Sequence, residues 1–184
     1  VTGRVDGRSV ALGNAGMMQE LAIDLGSLSA EADAQRRNGA TALFLAIDGK
    51  PAAVVAIADP IKATTRAALD ELRADNIHIV MLTGDNRTTA EAVANRLGIH
   101  DVQADVLPEH KNAIVRRLRQ QGRVVAMAGD GVNDAPALAA ADVGIAMGTG
   151  ADVAIESAGV TLLHGDLIGI VKARALSQAV MHNI

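Results

Sequence analysis

Beyond Asp59-Pro60 the chain alternates amphipathic and apolar segments without a break, and this rhythm constrains the fold more than any other feature. Helical patterns at 64–74, 87–97 and 109–121 separate strand-like runs at 78–82, 101–104, 124–128 and 143–146. Parallel strands need a long crossover, usually a helix, so this order predicts βαβ units: an α/β domain with a parallel sheet and helices on both faces. In the 87–97 segment Ala90, Val93, Ala94 and Leu97 fall at i, i+3, i+4 and i+7, one helical face. Asn86 can cap that helix, or Thr88 with Glu91 can form a capping box. A single aromatic, Phe44, leaves the cores to Ala, Val, Ile and Leu, as expected where buried strands pack against helices.

Residues 1–57 follow a different rule. Strand-like runs at 42–47 and 52–58 flank Asp48-Gly49-Lys50-Pro51, and Asp-Gly is a strong hairpin signal. Two shorter strand-like runs, at 1–5 and 9–12, and helical stretches at 15–22 and 29–37 complete an α+β unit with antiparallel pairing. The expected boundary therefore lies near Asp59, and the last stretch, 167–184, reads as a helix that reaches the last residue without a C-cap.

Composition removes several function classes. With 17 basic and 21 acidic residues and a net charge of -4, no basic stripe is present to neutralise a phosphodiester backbone, which argues against nucleic acid. The absence of cysteine excludes disulfides and thiolate metal sites. The five histidines never fall at the i, i+4 spacing that places two imidazoles on one helix face. Val1-Thr2-Gly3 carries no signal-peptide pattern, and no run of about 18 apolar residues could cross a bilayer. The chain reads as a soluble piece of something longer.

In parallel α/β sheets ligands bind at the carboxyl ends of strands, which directs attention to two segments. The 78–82 run leads into Thr83-Gly84-Asp85-Asn86, and the 124–128 run into Gly129-Asp130-Gly131-Val132-Asn133-Asp134. Asp130, Asn133 and Asp134 can direct oxygens at a hard cation such as magnesium, and the flanking glycines allow close approach of backbone N–H groups to a phosphate. These residue types also make ordinary turns. A bare turn, however, has no need of three acidic or amide side chains in six residues. Thr83 can offer its hydroxyl to a phosphoryl oxygen. Lys111 stands in the first turn of a helix, where the dipole disfavours a cation unless an anion compensates it.

Hydroxyl after one strand, lysine at a helix start and acidic loop after the next strand, in that order, resemble the haloacid-dehalogenase-like phosphotransfer fold. The segments Asp59-Pro60-Ile61-Lys62, Met81-Leu82-Thr83-Gly84-Asp85-Asn86 and Gly129-Asp130-Gly131-Val132-Asn133-Asp134-Ala135-Pro136-Ala137-Leu138 are similar to signature segments of P-type ATPases. Residues 148–158, from Gly148-Thr149-Gly150 to Glu156-Ser157-Ala158, resemble the heavy-metal subclass, in particular copper and silver exporters.

The resemblance implies ATP-driven export of a heavy-metal cation through an aspartyl-phosphate, with ATP and magnesium as cofactors, on the cytoplasmic face of a membrane protein, such as one of a bacterial plasma membrane. By the same analogy Asp130 and Asp134 hold magnesium, Thr83 and Asn133 bind the phosphoryl group, and Lys111 neutralises it. Gly84 and Asp85 line the pocket, and residues 59–62 form the hinge between nucleotide and phosphorylation domains. Residues 1–57 correspond by the same resemblance to the C-terminal part of the nucleotide-binding domain, 58–172 to the phosphorylation domain, and 173–184 to the approach to a membrane helix. Two departures stand out. The DKTGT segment that supplies the nucleophilic aspartate is missing, and so are the His-Pro and GxG elements that contact ATP. The resemblance thus implies a phosphorylation domain without its first strand and a sheet position left open. Two alternatives share some of these residues: a stand-alone phosphatase of the same fold, which would need its own early aspartate, and a non-catalytic magnesium- or nucleotide-binding module.

Overall fold

The Asp48-Gly49 hairpin forms as its sequence requires. Both turn residues have positive φ, 51° and 74°, the mirror-image turn whose twist suits paired strands. It joins β3 (Thr41–Ile47) to β4 (Lys50–Ile57). Asp6 and Gly7, at 49° and 78°, do the same between β1 (Thr2–Val5) and β2 (Arg8–Gly13). The four strands form one antiparallel sheet in chain order. Pro51 lies opposite Ala46 where the β3–β4 register shifts, a bulge that tolerates its missing N–H. Asp48 ties the turn to β2, accepting from the Ser9 amide at 2.9 Å and Arg8 Nε at 2.8 Å. Those bonds, the Arg8 one first, hold its carboxyl below the ordinary aspartate range.

A computed structural model describes residues 1–130, 132–148 and 156–183, which fall into two compact units. Val1–Pro60 and Asp85–Gly98 make the first, and Ile61–Gly84 with the residues from Ile99 onward the second. Gly131, most of the 148–158 stretch (149–155) and Ile184 lie outside the described residues. In the first unit β3 alternates, with Ala42, Phe44 and Ala46 buried against Met18 of α1 (Ala15–Glu20) and Ala32 of α2 (Leu28–Arg37). Arg36 lies over the Phe44 ring, 5.7 Å from its centroid.

In the second unit the chain runs through α3 (Ala63–Ala74) into β5 (Val80–Leu82). The helix that follows, α4 (Arg87–Leu97), groups with the first unit. Asn86 is its cap, accepting from the Thr88 amide at 2.8 Å, and Gly98 ends it at φ 65°, so the Thr88–Glu91 capping box is not the device used. Buried Thr89 donates to the Ala40 carbonyl at 3.0 Å, and Arg96 to that of Asn38 at 2.7 Å. The helical face read from the sequence is the buried one, with Ala90, Ala94 and Leu97 inside, in the unit that contains α2.

The chain continues through β6 (Asp101–Gln103), α5 (Pro108–Gln120), β7 (Ala126–Gly129), a 3-10 turn (Val132–Asp134), α6 (Ala135–Ala140) and β8 (Val143–Met147). It then runs through β9 (Val160–Leu162) and α7 (Ile168–His182). Among the described residues all strand pairs here are parallel, as the alternation required. They form two sheets rather than one: β5–β6, and β7–β8–β9. No described strand pairs with both β5 and β7, so each keeps an open edge. β9 is too short for its three residues to show a periodicity.

Val115, Ala137 and Ala140 form a core between α5 and α6, with Val125 and Met127 packed on it. At the other side α7 is tied to α3: Thr64 Oγ1 donates to Asp166 at 2.9 Å, Lys62 to the Gly165 carbonyl, and Arg174 pairs with Asp75. Among the described residues no helix is long and apolar enough to cross a membrane.

Candidate functional site

The acidic loop begins where β7 ends. Asp130 stands exposed just after Gly129, and the 3-10 turn then brings Asn133 to the surface and turns Asp134 inward, 7% exposed. Pro136, in the first turn of α6, fits there because that turn needs no intrahelical N–H from it. Lys111 reaches Asp134 from the first turn of α5, Nζ to Oδ1 at 2.6 Å, with the two side chains 17% and 10% exposed. Asp134 is thus the anion that a lysine at a helix start calls for.

Gly129 makes this arrangement possible. A Cβ there would lie 2.7 Å from Asp134 Oδ2 and 2.8 Å from Asp134 Cβ, well inside contact distance. The sequence suggested a glycine that admits phosphate to the backbone. The structure adds that Asp134 lies across it, a requirement with no signal in the local sequence.

Asp142 was also missed. It accepts from the Val125 amide at 2.9 Å and pairs with Arg119 at 2.7 Å, anchoring the entrance to β7 against α5. The Val125 amide first, and Arg119 after it, hold its carboxyl below the ordinary range.

At the end of β5, Thr83 is half-buried and pinned through its backbone: its amide donates to the Gln103 carbonyl at 3.0 Å, and its own carbonyl accepts from the Val106 amide at 3.1 Å. Gly84 is exposed beside it. Asp85 begins the segment that belongs to the first unit, where it accepts from Thr41 Oγ1 at 3.0 Å. Of the residues singled out in the sequence, the structure joins Lys111 directly to Asp134. Thr83, Gly84, Asp130 and Asn133 lie in the same unit, and Asp85 in the other.

No group of three His, Cys, Asp or Glu side chains close enough to cage a metal occurs among the described residues. Magnesium does not require one, since it commonly keeps waters and binds through one or two carboxylates with substrate phosphate. Asp130 and Asp134 against Lys111 leave one net negative charge at the loop. That oxygen-rich, weakly anionic donor set fits magnesium joined by a phosphate.

The surroundings of the site are shared with known proteins. A haloacid dehalogenase-like hydrolase model matches residues 4–142. A copper-exporting P-type ATPase of Legionella pneumophila is 59% identical over all 184 residues, which span 25% of its length. A silver exporting P-type ATPase of Salmonella typhimurium is also 59% identical, with 22% of its length spanned. The structure of a zinc-transporting PIB-type ATPase in its E2.Pi state matches 99% of this chain and 29% of its own, with a TM-score of 0.72 at 35% identity. The chain therefore spans about a quarter of the relatives it matches. The α/β architecture, the acidic loop after β7 and the match over 4–142 place it in one family: the chain belongs to the haloacid dehalogenase-like hydrolases.

Proposed function

We propose that this chain is the phosphoryl-handling part of an ATP-driven heavy-metal cation pump, exporting copper or silver as the names of its relatives indicate. The observation that carries the reading is the Lys111–Asp134 pair, in the same loop as an exposed Asp130 that follows the carboxyl end of a parallel strand. In the whole protein, an aspartate supplied from outside these residues attacks the γ-phosphorus of ATP, ADP leaves, and water later releases phosphate from the aspartyl group. Bound magnesium would supply charge neutralisation on the transferring phosphoryl group.

This chain's residues have narrower tasks. Asp130 would hold the cation, with Asp134 beside it. Lys111, oriented by Asp134, would present its ammonium to the phosphoryl oxygens, and Thr83 and Asn133 would donate hydrogen bonds to them. Gly84 would line the approach. Residues 1–57 serve as the C-terminal part of a nucleotide-binding domain, 58–172 as the phosphorylation domain, and 173–184 as the lead into a membrane helix, with the catalytic part on the cytoplasmic face of a bacterial plasma membrane.

Two measurements test the reading. The isolated chain should show no ATPase turnover, since no DKTGT nucleophile is present in it; steady turnover by the purified chain would overturn it. In the full-length protein, Asp130→Ala should abolish magnesium-dependent phosphoenzyme formation from labelled ATP. Wild-type phosphoenzyme levels in that variant would remove Asp130 from the cation site.

A further inference from the structure

Charge is sorted along the strand direction of the second unit. Between Glu109 and Asp130 the chain holds Lys111, Arg116, Arg117, Arg119 and Arg123 and no acidic residue, within a protein of net charge -4. Lys111 sits at the acidic loop, beyond the carboxyl end of β7. α5 then runs back, so the four arginines, all exposed, collect at the other end of the sheets, where β7 begins. Arg123 lines the same cavity as Asn76 and His78, which lead into β5. The nearby acids Asp142 and Asp101 are engaged, the first with Arg119 at 2.7 Å and the second with His78 at 3.1 Å. What remains is a compact cationic cluster rather than a stripe, and no ion pair of Arg116 or Arg117 occurs among the described residues.

α7 leaves the unit at this same end. Thr64 is bonded to Asp166 near the starts of α3 and α7, and Asp75 to Arg174 farther along, so the two helices run the same way, toward the amino end of β5. Beyond Arg174 the helix continues from Ala175 to His182, about 12 Å, with no Asp, Glu, Lys or Arg in it. Leu176 and Val180, one turn apart, are 66% and 51% exposed, and Met181 is 70% exposed. The end of α3 beside it adds Glu71 to two closed pairs, Arg73–Asp70 and Arg174–Asp75, so the surplus of positive charge lies on the α5 side.

We infer that this end of the second unit sits against an anionic bilayer surface, with Arg116, Arg117 and Arg123 on lipid phosphate oxygens and the apolar side of α7 beyond Arg174 in the headgroup boundary. Guanidinium forks match phosphate oxygens, and a cationic cluster beside an exposed apolar helix is the combination that interfacial binding uses. The overall negative charge does not oppose this, because at physiological salt a surface feels only charges within about 8 Å. The inference deepens the proposed function and rests on it for one point, that α7 leads toward a membrane.

Flotation of the 184-residue chain with lipid vesicles tests this, since aggregated protein sinks and lipid-bound protein rises. The expected result is flotation at low salt with phosphatidylcholine vesicles carrying about a third phosphatidylglycerol, none with phosphatidylcholine alone, and release as salt is raised. Arg116→Gln/Arg117→Gln/Arg123→Gln should bind on the order of tenfold more weakly. Arg4→Gln/Arg37→Gln/Lys50→Gln removes the same charge from exposed positions of the first unit and should bind as the wild type does. Leu176→Gln/Val180→Gln should weaken binding as well, and bound vesicles should slow hydrogen exchange at 121–124 and 175–182. No flotation, equal flotation with neutral vesicles, equal loss in the two charge triples, wild-type binding by the α7 variant, or protection in β1–β4 instead would each overturn the inference. The measurement needs neither ATP nor magnesium, so its failure would leave the phosphoenzyme test of the proposed function standing, and failure of that test would leave the lipid-binding face.

Discussion

Gly129, Asp134 and Lys111 form a unit in which each residue limits the others. A methyl group at Gly129 must move Asp134, and Asp134 moved is Lys111 unpaired. Gly129→Ala should therefore destabilise the chain by about 1–3 kcal/mol, the usual range for overpacking, read as a lower denaturant midpoint at unchanged slope. A midpoint equal to the wild type's would mean that Asp134 has room to shift. Lys111→Met should cost about 1–3 kcal/mol, because it leaves Asp134 inside without its partner. With Asp134→Leu as the second single change, the double variant should lose clearly less than the two sum to, and simple additivity would show that the pair is not coupled. Lysine, aspartates and glycine were all visible as candidates in the sequence. Their mutual dependence was not, because it joins a helix start to a turn 23 positions away.

At the scale of elements, local periodicity and turn chemistry carry most of the information. The Asp48-Gly49 hairpin and the 87–97 helix appear where the pattern places them, because both are decided by φ/ψ preferences and capping groups within a few residues. The hairpin also has a measurable pH signature. Asp48 is held below its ordinary pKa, so its contribution is complete above the unfolded value near 4 and fades as pH falls through the lower folded value. Asp48→Asn should lower the melting temperature at pH 7 and make little difference near pH 2. An equal effect at both would mean the Arg8 and Ser9 interactions do not depend on the carboxylate charge. Asp101, Asp142 and Asp166, depressed chiefly by His78, the Val125 amide and the Ile168 amide respectively, add acid sensitivity of the same sign.

At the scale of the whole molecule, the described residues include a separate core in each unit. One is built on Phe44, Met18 and Ala32, and another on Val115, Ala137 and Ala140. The second unit also holds two sheets with an open groove between them. Heating should give a broad transition, with a calorimetric enthalpy exceeding the van't Hoff value, rather than one cooperative step. A single sharp transition with equal enthalpies would show that the two cores unfold together despite the open edges.

The sequence by itself determined the α/β character beyond Asp59, the antiparallel unit before it, the acidic loop and the family, since these rest on spacing and on residue types within short windows. Only the tertiary structure decided that α4 packs in the first unit, that Asp134 is held by Lys111 over Gly129, and that the parallel strands form two sheets flanking a groove. Those outcomes depend on which surfaces meet across tens of residues. An amphipathic face records that it will be buried, but not which partner will cover it.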